Sequence, residues 1–466
     1  MDPEKEPSVV HQEERTASAG RDMTTRGDRE EVADGTINLY DSTGTIQLIP
    51  VPSSDPNDPL RIPERRKWAV LFTICLFAAA GLTAVQSIAA ILPTVSLYYQ
   101  DLDPNMMSMG SAGMPPGGLP PNGLPPGGLP PGVLPSDGLP PSGLPPGGIP
   151  PSGALIRRET HYEGISFPSV PGKPSQQTIS QLGTLPSLFV GLGGILSILG
   201  AQLTGTRLMM VLDAAIVVVC LCWAAASNGK DHGLYSHIGA RCVLGLGVGA
   251  VESLAPLIIQ DINYVHNRNS KLAVLWSTGG IVGTGLGIAS TYIVSALSWR
   301  WYYWILAFIG ATALVLIGLV IPETSWARTE ADLAGLSPKG TDGFVEPVRP
   351  SGRDRSYLYS LRLTSSETGA QKMWETCTDL LRCALFPNII WLVCLNACFI
   401  GVVLSSGLVL GNVLVINYGW SPDKIGLSTI PLAVSSLVAI PVIGFGGDRV
   451  IQFLAKRNNG VHEVST

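Results

Sequence analysis

Apolar residues fall into eight long blocks, separated by polar segments of very unequal length. A membrane helix needs ~20 mostly apolar residues. That length predicts spans over Trp68–Leu92, Leu185–Leu203, Leu208–Ala226, Ile238–Gln260, Leu272–Leu297 and Trp301–Ile321. A seventh falls within Cys383–Pro422, from about Ile389 to about Gly411, and the eighth over Ile425–Phe445. The pattern predicts an all-α, polytopic membrane protein, with the lipid bilayer as its first partner.

The polar segments give the organisation. Residues 1–67 mix acids, Ser, Thr and Gly with few aromatics, which predicts a disordered tail. Residues 68–321 hold six spans, and 93–178 form a long loop inside that block. The loop carries eight tandem pentads of the Gly-Leu-Pro-Pro type over Gly113–Ser152. Collagen needs Gly at every third position, and here it recurs at every fifth. Frequent Pro with Gly joints predicts an extended, flexible exterior segment. Residues 322–387 read as a polar linker, 388–449 as two more spans, and 450–466 as a second tail.

Charge sets the orientation. Arg61, Arg65, Arg66 and Lys67 precede the first span; Arg207, Arg268, Lys271 and the basic residues from Arg328 to Arg382 fall in alternate segments. The positive-inside bias places these segments, and both termini, in the cytoplasm. The protein is expected in the plasma membrane.

Composition narrows the class further. Apolar residues make up 46% of the chain and charged residues 14%, against ~25% charged in soluble proteins. A net charge of -5 argues against nucleic acid as a partner. Most of the eight cysteines lie in apolar runs, where Cys packs as a small hydrophobe. Cys394 and Cys398 lie one turn apart, but no nearby His or acid completes a metal site. His232, His237 and His266 fall at membrane edges. No phosphate loop, nucleophile elbow or ligand cluster appears, so no catalytic residue, metal or cofactor is expected.

The chemistry therefore rests on polar groups inside spans, where ionisable residues usually mark function. Glu252 leads. Arg241 precedes it by eleven residues, which at ~100° and ~1.5 Å per residue returns nearly to the same face, ~16 Å away. Both could line one cavity, with Glu252 binding a proton or a cationic substrate and Arg241 tuning it; otherwise Glu252 only satisfies a local hydrogen bond. Asp213 either pairs with Arg207 or snorkels to the interface. Thr83, Gln86, Asn396 and Asn412 are candidate cavity-lining groups, with a hydrogen bond to a neighbouring helix as the alternative for Asn396. Gly279, Gly283 and Gly287 form a small-residue strip for close helix packing. The aromatics from Trp299 to Trp304 read as an interfacial belt.

Several motifs resemble the major facilitator superfamily. Arg241-Cys-Val-Leu-Gly245-Leu-Gly247 is similar to its Arg-x-x-x-Gly-x-Gly element, and the Gly279–Gly287 strip to its antiporter motif. Gly444-Phe-Gly-Gly-Asp448-Arg449 resembles the Gly-x-x-x-Asp-Arg gating loop. Trp299-Arg-Trp-Tyr-Tyr-Trp304, Pro322-Glu-Thr324 and Asp55-Pro-Asn-Asp-Pro59 look like fungal members. The loop after the second span departs: Gly200-Ala-Gln-Leu-Thr204-Gly205-Thr-Arg207 keeps Gly205 and Arg207 but lacks the acid. The resemblance implies a complete six-helix N-terminal bundle plus two helices of the C-terminal one. It implies a secondary transporter of a small-molecule substrate, proton-coupled and exporting by alternating access. It also gives an expectation of truncation after the eighth span. The competing expectation is a transport-inactive membrane protein, or one acting with a copy of itself or a sister half-transporter.

Overall fold

The computed structural model describes residues 48–53, 57–101, 172–227, 233–326, 328, 361–362 and 369–457. The pentad repeat, most of both predicted tails, Asp55, His232 and most of the linker lie outside the described residues. The described residues build an all-α protein, in which eight segments are long and apolar enough to cross a membrane.

Span one is two helices, α1 (Glu64–Gln86) and α2 (Ile88–Gln100), interrupted at Ser87. It runs past the predicted Leu92 to Gln100, with Pro93 inside, and ends at Asp101 in the left-handed conformation (φ 62°). Spans two and three are α3 (Gln176–Thr204) and α4 (Thr206–Ala226). Gly205 alone joins them, at φ 110°, where a side chain would strain the backbone. Span four is again broken, into α5 (Gly233–Glu252) and α6 (Leu254–Ile262). Pro256 lacks the N–H that would bond the Glu252 carbonyl, which explains the break at Ser253. Spans five and six are α7 (Val265–Ala296) and α8 (Trp299–Val320).

After the linker, α9 (Ala370–Ala384) leads into span seven, α10 (Pro387–Ile416). Span eight begins as a 3-10 helix, Pro422–Thr429, and continues through α11 (Ile430–Ala439). A π-helical stretch, Ile440–Phe445, then passes into α12 (Gly446–Arg457). The helix therefore does not close at Phe445 as predicted. Pro441 cannot donate, the helix widens so that Gly446 N–H reaches the Pro441 carbonyl, and the chain stays helical through Arg457.

Close backbone approach explains the glycine-rich fourth span. A Cβ on Gly245 would sit 2.6 Å from the Pro186 carbonyl, and one on Gly249 would collide with the Gly194 nitrogen. On the other side, a Cβ on Gly247 would sit 2.8 Å from the Asp213 carbonyl. Without those glycines α5 could not lie between α3 and α4 at this distance. Burial follows this packing. In the most apolar windows of spans one and four, 72% and 67% of residues are buried; in spans seven and eight, 0% and 11%.

Candidate functional site

The break at Ser87 leaves the last carbonyls of α1 without helical partners. Arg241 takes them. Its guanidinium donates to Ala84 O at 3.0 Å and Val85 O at 2.9 Å, and its Nε to Leu182 O at 2.7 Å. A cation at a helix C-terminus also meets the negative end of the helix dipole. Arg241 Nη1 further donates to the Tyr303 hydroxyl at 2.7 Å. Tyr303 lies 3.0 Å from His237 Nε2, and His237 Nδ1 lies 3.1 Å from the Tyr99 hydroxyl. His237 stacks on Trp299, with ring centroids 4.9 Å apart. His237 and Arg241 are one turn apart on α5, so one helix face ties α1, α2, α3 and α8 together.

His237 is fully buried in this network. One expectation changes here. The aromatic run on α8 splits by helical face: Trp299, Tyr302 and Tyr303 point inward and are buried, while Trp301 and Trp304 are exposed as a belt would be. Sequence reasoning missed Tyr99 and Tyr303 as polar partners. Their only signal was the need for a buried Tyr hydroxyl to find one.

Glu252 stands at the opposite pole. It is exposed, at the very end of α5 and beside the Ser253 break. Span four continues ten residues further to Ile262, which at ~1.5 Å per residue puts Glu252 ~15 Å inside that end, half of a ~30 Å hydrocarbon core. Among the described residues no hydrogen bond or ion pair joins it to Arg241, whose donors are all directed at span one, span two and Tyr303. Gln86 is likewise exposed, beside the break in span one. Thr83 is buried against α7, where a Cβ on Gly283 would lie 3.4 Å from its hydroxyl. Asn396 is exposed and donates to Leu392 O of its own helix at 2.9 Å. Asn412 is half-buried near Gly411, whose Cβ would come 3.2 Å from Ala89 O of α2.

The end of the bundle where α1 begins holds the loop motifs. Asp213 is buried and accepts from Ser197 Oγ at 2.9 Å. It neither pairs with Arg207 nor snorkels, because α3 packs over it. Arg207 donates to the Gly318 and Leu361 carbonyls, at the end of span six and in the linker. The turn between spans two and three is capped by a distant acid. Glu323, of Pro322-Glu-Thr324, accepts from Thr206 N and Arg207 N, each at 3.2 Å, and so caps α4. Nearby, Asp58 is fully buried and forms an ion pair with Arg328 at 2.8 Å. It also accepts from Leu60 N and Ser53 N. Burial pushes the Asp58 carboxyl up, but Arg328 and the two N–H donors outweigh it and hold it below its ordinary value.

Span eight meets span five at the same end. Asp448 accepts from the Ser270 backbone N–H at 3.1 Å and from its hydroxyl. Asn269 Nδ2 donates to Ile443 O at 2.7 Å, and Gly444 packs on Ala273. Arg449 is exposed. The predicted glycine strip is only partly the tight surface. Gly279 and Gly283 meet α1 at ordinary contact distance, and a Cβ on Gly287 would meet nothing within 4 Å. The close approaches to span eight are at Gly280, against Ser436, and at Gly426, whose Cβ would lie 2.8 Å from Ile288 Cα. Among the described residues no group of three or more His, Cys, Asp or Glu is placed to hold a metal ion.

Eight apolar helical segments, broken spans and polar groups sealed between them define a multi-pass membrane protein. The profile of the Major Facilitator Superfamily matches residues 153–458. The chain belongs to that family, whose relatives below are membrane transporters rather than enzymes. It is 29% identical over 140 residues to the mouse sphingosine-1-phosphate transporter SPNS2, covering 29% of this chain and 25% of that protein. It is 28% identical over 148 residues to the efflux transporter ffsH of Aspergillus flavipes, covering 31% and 25%. To the transporter paaT of Penicillium rubens it is 24% identical over 254 residues, covering 52% and 42%. The matched segments thus span less than half the length of these relatives. Among solved structures, the proton:xylose symporter XylE gives a TM-score of 0.38 at 11% identity, covering 56% of this chain and 46% of that one.

Proposed function

We propose that the chain works in secondary active transport, moving a small organic compound outward across the plasma membrane in exchange for protons, with both termini cytoplasmic. One observation carries this reading: Glu252 is an exposed carboxylate about halfway through a membrane span. A charge at that depth costs ~2.5–3.5 kcal/mol on insertion scales unless it faces water or a partner. An exposed position therefore supports a water-filled cavity, and a carboxylate there can take up and release a proton. Discontinuous helices near the midplane are where such folds bind ions and substrates, and Glu252 and Gln86 each flank a break. The names of ffsH and SPNS2 support a transported compound, and the ffsH name supports efflux.

Arg241 serves in this reading as the fixed strut that holds the span-one break in place while the cavity changes shape. Asp448 and Ser270 form a latch between the six-span block and span eight, and Gly205 and Arg207 with Glu323 hold the turn between spans two and three. A second reading has the chain working through association with a copy of itself or a sister chain. It is favoured by span seven, whose most apolar window contains no buried residue.

Purified protein in sealed vesicles with an imposed pH gradient tests both. The probes are fluorescent organic dyes, rhodamine 6G first. Gradient-driven dye flux that falls at least tenfold in Glu252→Gln is the expected result. Flux with unchanged pH dependence in that variant would overturn the role of Glu252. Flux that appears only above a threshold protein density in the vesicles would favour the associated form.

A further inference from the structure

A hollow of about 330 Å³ lies between the start of α1, the start of α7 and the close of span eight. At ~30 Å³ per water it has room for about ten waters, more than a single ion needs. Three cations line it: Lys67, Lys271 and Arg449. The acids on its wall are already engaged. Glu64 pairs with Lys67 at 3.1 Å, and Asp448 is bound to the Ser270 N–H and hydroxyl. Among the described residues neither Lys271 nor Arg449 has an ion-pair partner. Lys271 Nζ instead lies 3.3 Å above the ring of Trp68.

Two cations without a direct ion pair among the described residues thus face one hollow, and that hollow sits where three spans enter or leave the membrane. We propose that it binds the headgroup of an anionic phospholipid, with Lys271 and Arg449 neutralising the net negative charge that a zwitterionic headgroup lacks. The choice of a lipid over a soluble anion rests on what borders the hollow. Trp68 is 48% exposed, and Phe72, one turn further along the same face of α1, is 64% exposed. Phe445 of span eight also lines the hollow and is exposed. An acyl chain leaving the headgroup would run onto these rings, and Trp at a headgroup boundary is a common anchor. A bound headgroup would bridge α1 and α7 to span eight beside the Asp448–Ser270 contact.

The test is native mass spectrometry of the full chain released from vesicles of four parts phosphatidylcholine to one part phosphatidylserine. The wild-type protein should retain one phosphatidylserine in preference to phosphatidylcholine by about tenfold or more. Each cation near an anionic headgroup contributes about fivefold in affinity, so Lys271→Gln with Arg449→Gln should lower retention by about 25-fold. Lys271→Arg should keep it. Equal retention of the two lipids by the wild-type protein would overturn the proposal, and that arm does not depend on the variant folding. Release of the lipid by 10 mM inorganic phosphate would also overturn it, by assigning the hollow to a soluble anion. Undiminished phosphatidylserine in the double variant would do the same by removing the role of the two cations.

Discussion

Arg241 and Glu252 lie on one helix, and their surroundings are opposites. Arg241 is fully buried and has acceptors on spans one, two and six. Glu252 is exposed beside a helix break. The same contrast separates the two blocks of the molecule. In the first, polar groups reach across helices: Ser197 to Asp213, Arg241 to Ala84, Asp58 to Arg328. In span seven they turn back on their own helix, as with Asn396 to Leu392 and Ser405 to Gly401. Apolar composition is alike in both, so hydropathy alone does not decide burial. Sealed charges build the scaffold, and open ones are where protons and ligands can arrive.

The contrast can be broken most forcefully at Arg241. Arg241→Ala strips buried carbonyls and the Tyr303 hydroxyl of their donor, so a loss of about 3–5 kcal/mol is expected, with a matching fall in melting temperature or failure to accumulate. Next comes the contact between blocks. Gly426→Ala places a methyl against the backbone of Ile288 and should cost about 1–3 kcal/mol. Gly287→Ala, with open space around its Cβ, should be neutral or stabilising by up to about 1 kcal/mol. Thermal unfolding of the pair in one detergent checks the difference.

Glu323→Ala removes the cap of α4 and should cost about 1–2 kcal/mol. A smaller effect is expected from acid. The Asp58 carboxyl is held below 3.8, its ordinary value. It therefore adds stability that is full above that value and is lost as pH falls through the depressed one. Asp58→Asn should lower stability at pH 7 and flatten the acid limb of a melting-temperature profile. The smallest effect is at Glu252, where Glu252→Gln should change stability by less than about 0.5 kcal/mol while altering flux.

Much of the fold was legible in the sequence. Eight apolar runs gave the spans, and the Arg241, Gly245 and Gly247 spacing marked the tightly packed fourth helix. The breaks were not read, although Pro256 announced one of them, because an apolar run of sufficient length hides an interruption within it. Three of the four partners of Arg241 could not be read either, since they are backbone carbonyls that no residue type signals. Glu323 and Thr206 lie 117 residues apart, and Asp58 and Arg328 lie 270 apart. Such pairs form only once the helices have packed. The acid missing from the loop after span two was visible as an absence, while the capping of α4 by Glu323 was a fact of tertiary structure.

The most direct measurement is carbodiimide modification of the purified protein in vesicles, mapped by peptide mass spectrometry across a range of pH. Glu252 should be the principal modified carboxyl within the spans, more so as pH falls, with Asp213 protected beneath Ser197 and α3. Modification of Asp213 ahead of Glu252, or an unreactive Glu252 at every pH, would contradict the assignment of Glu252 as the open proton site.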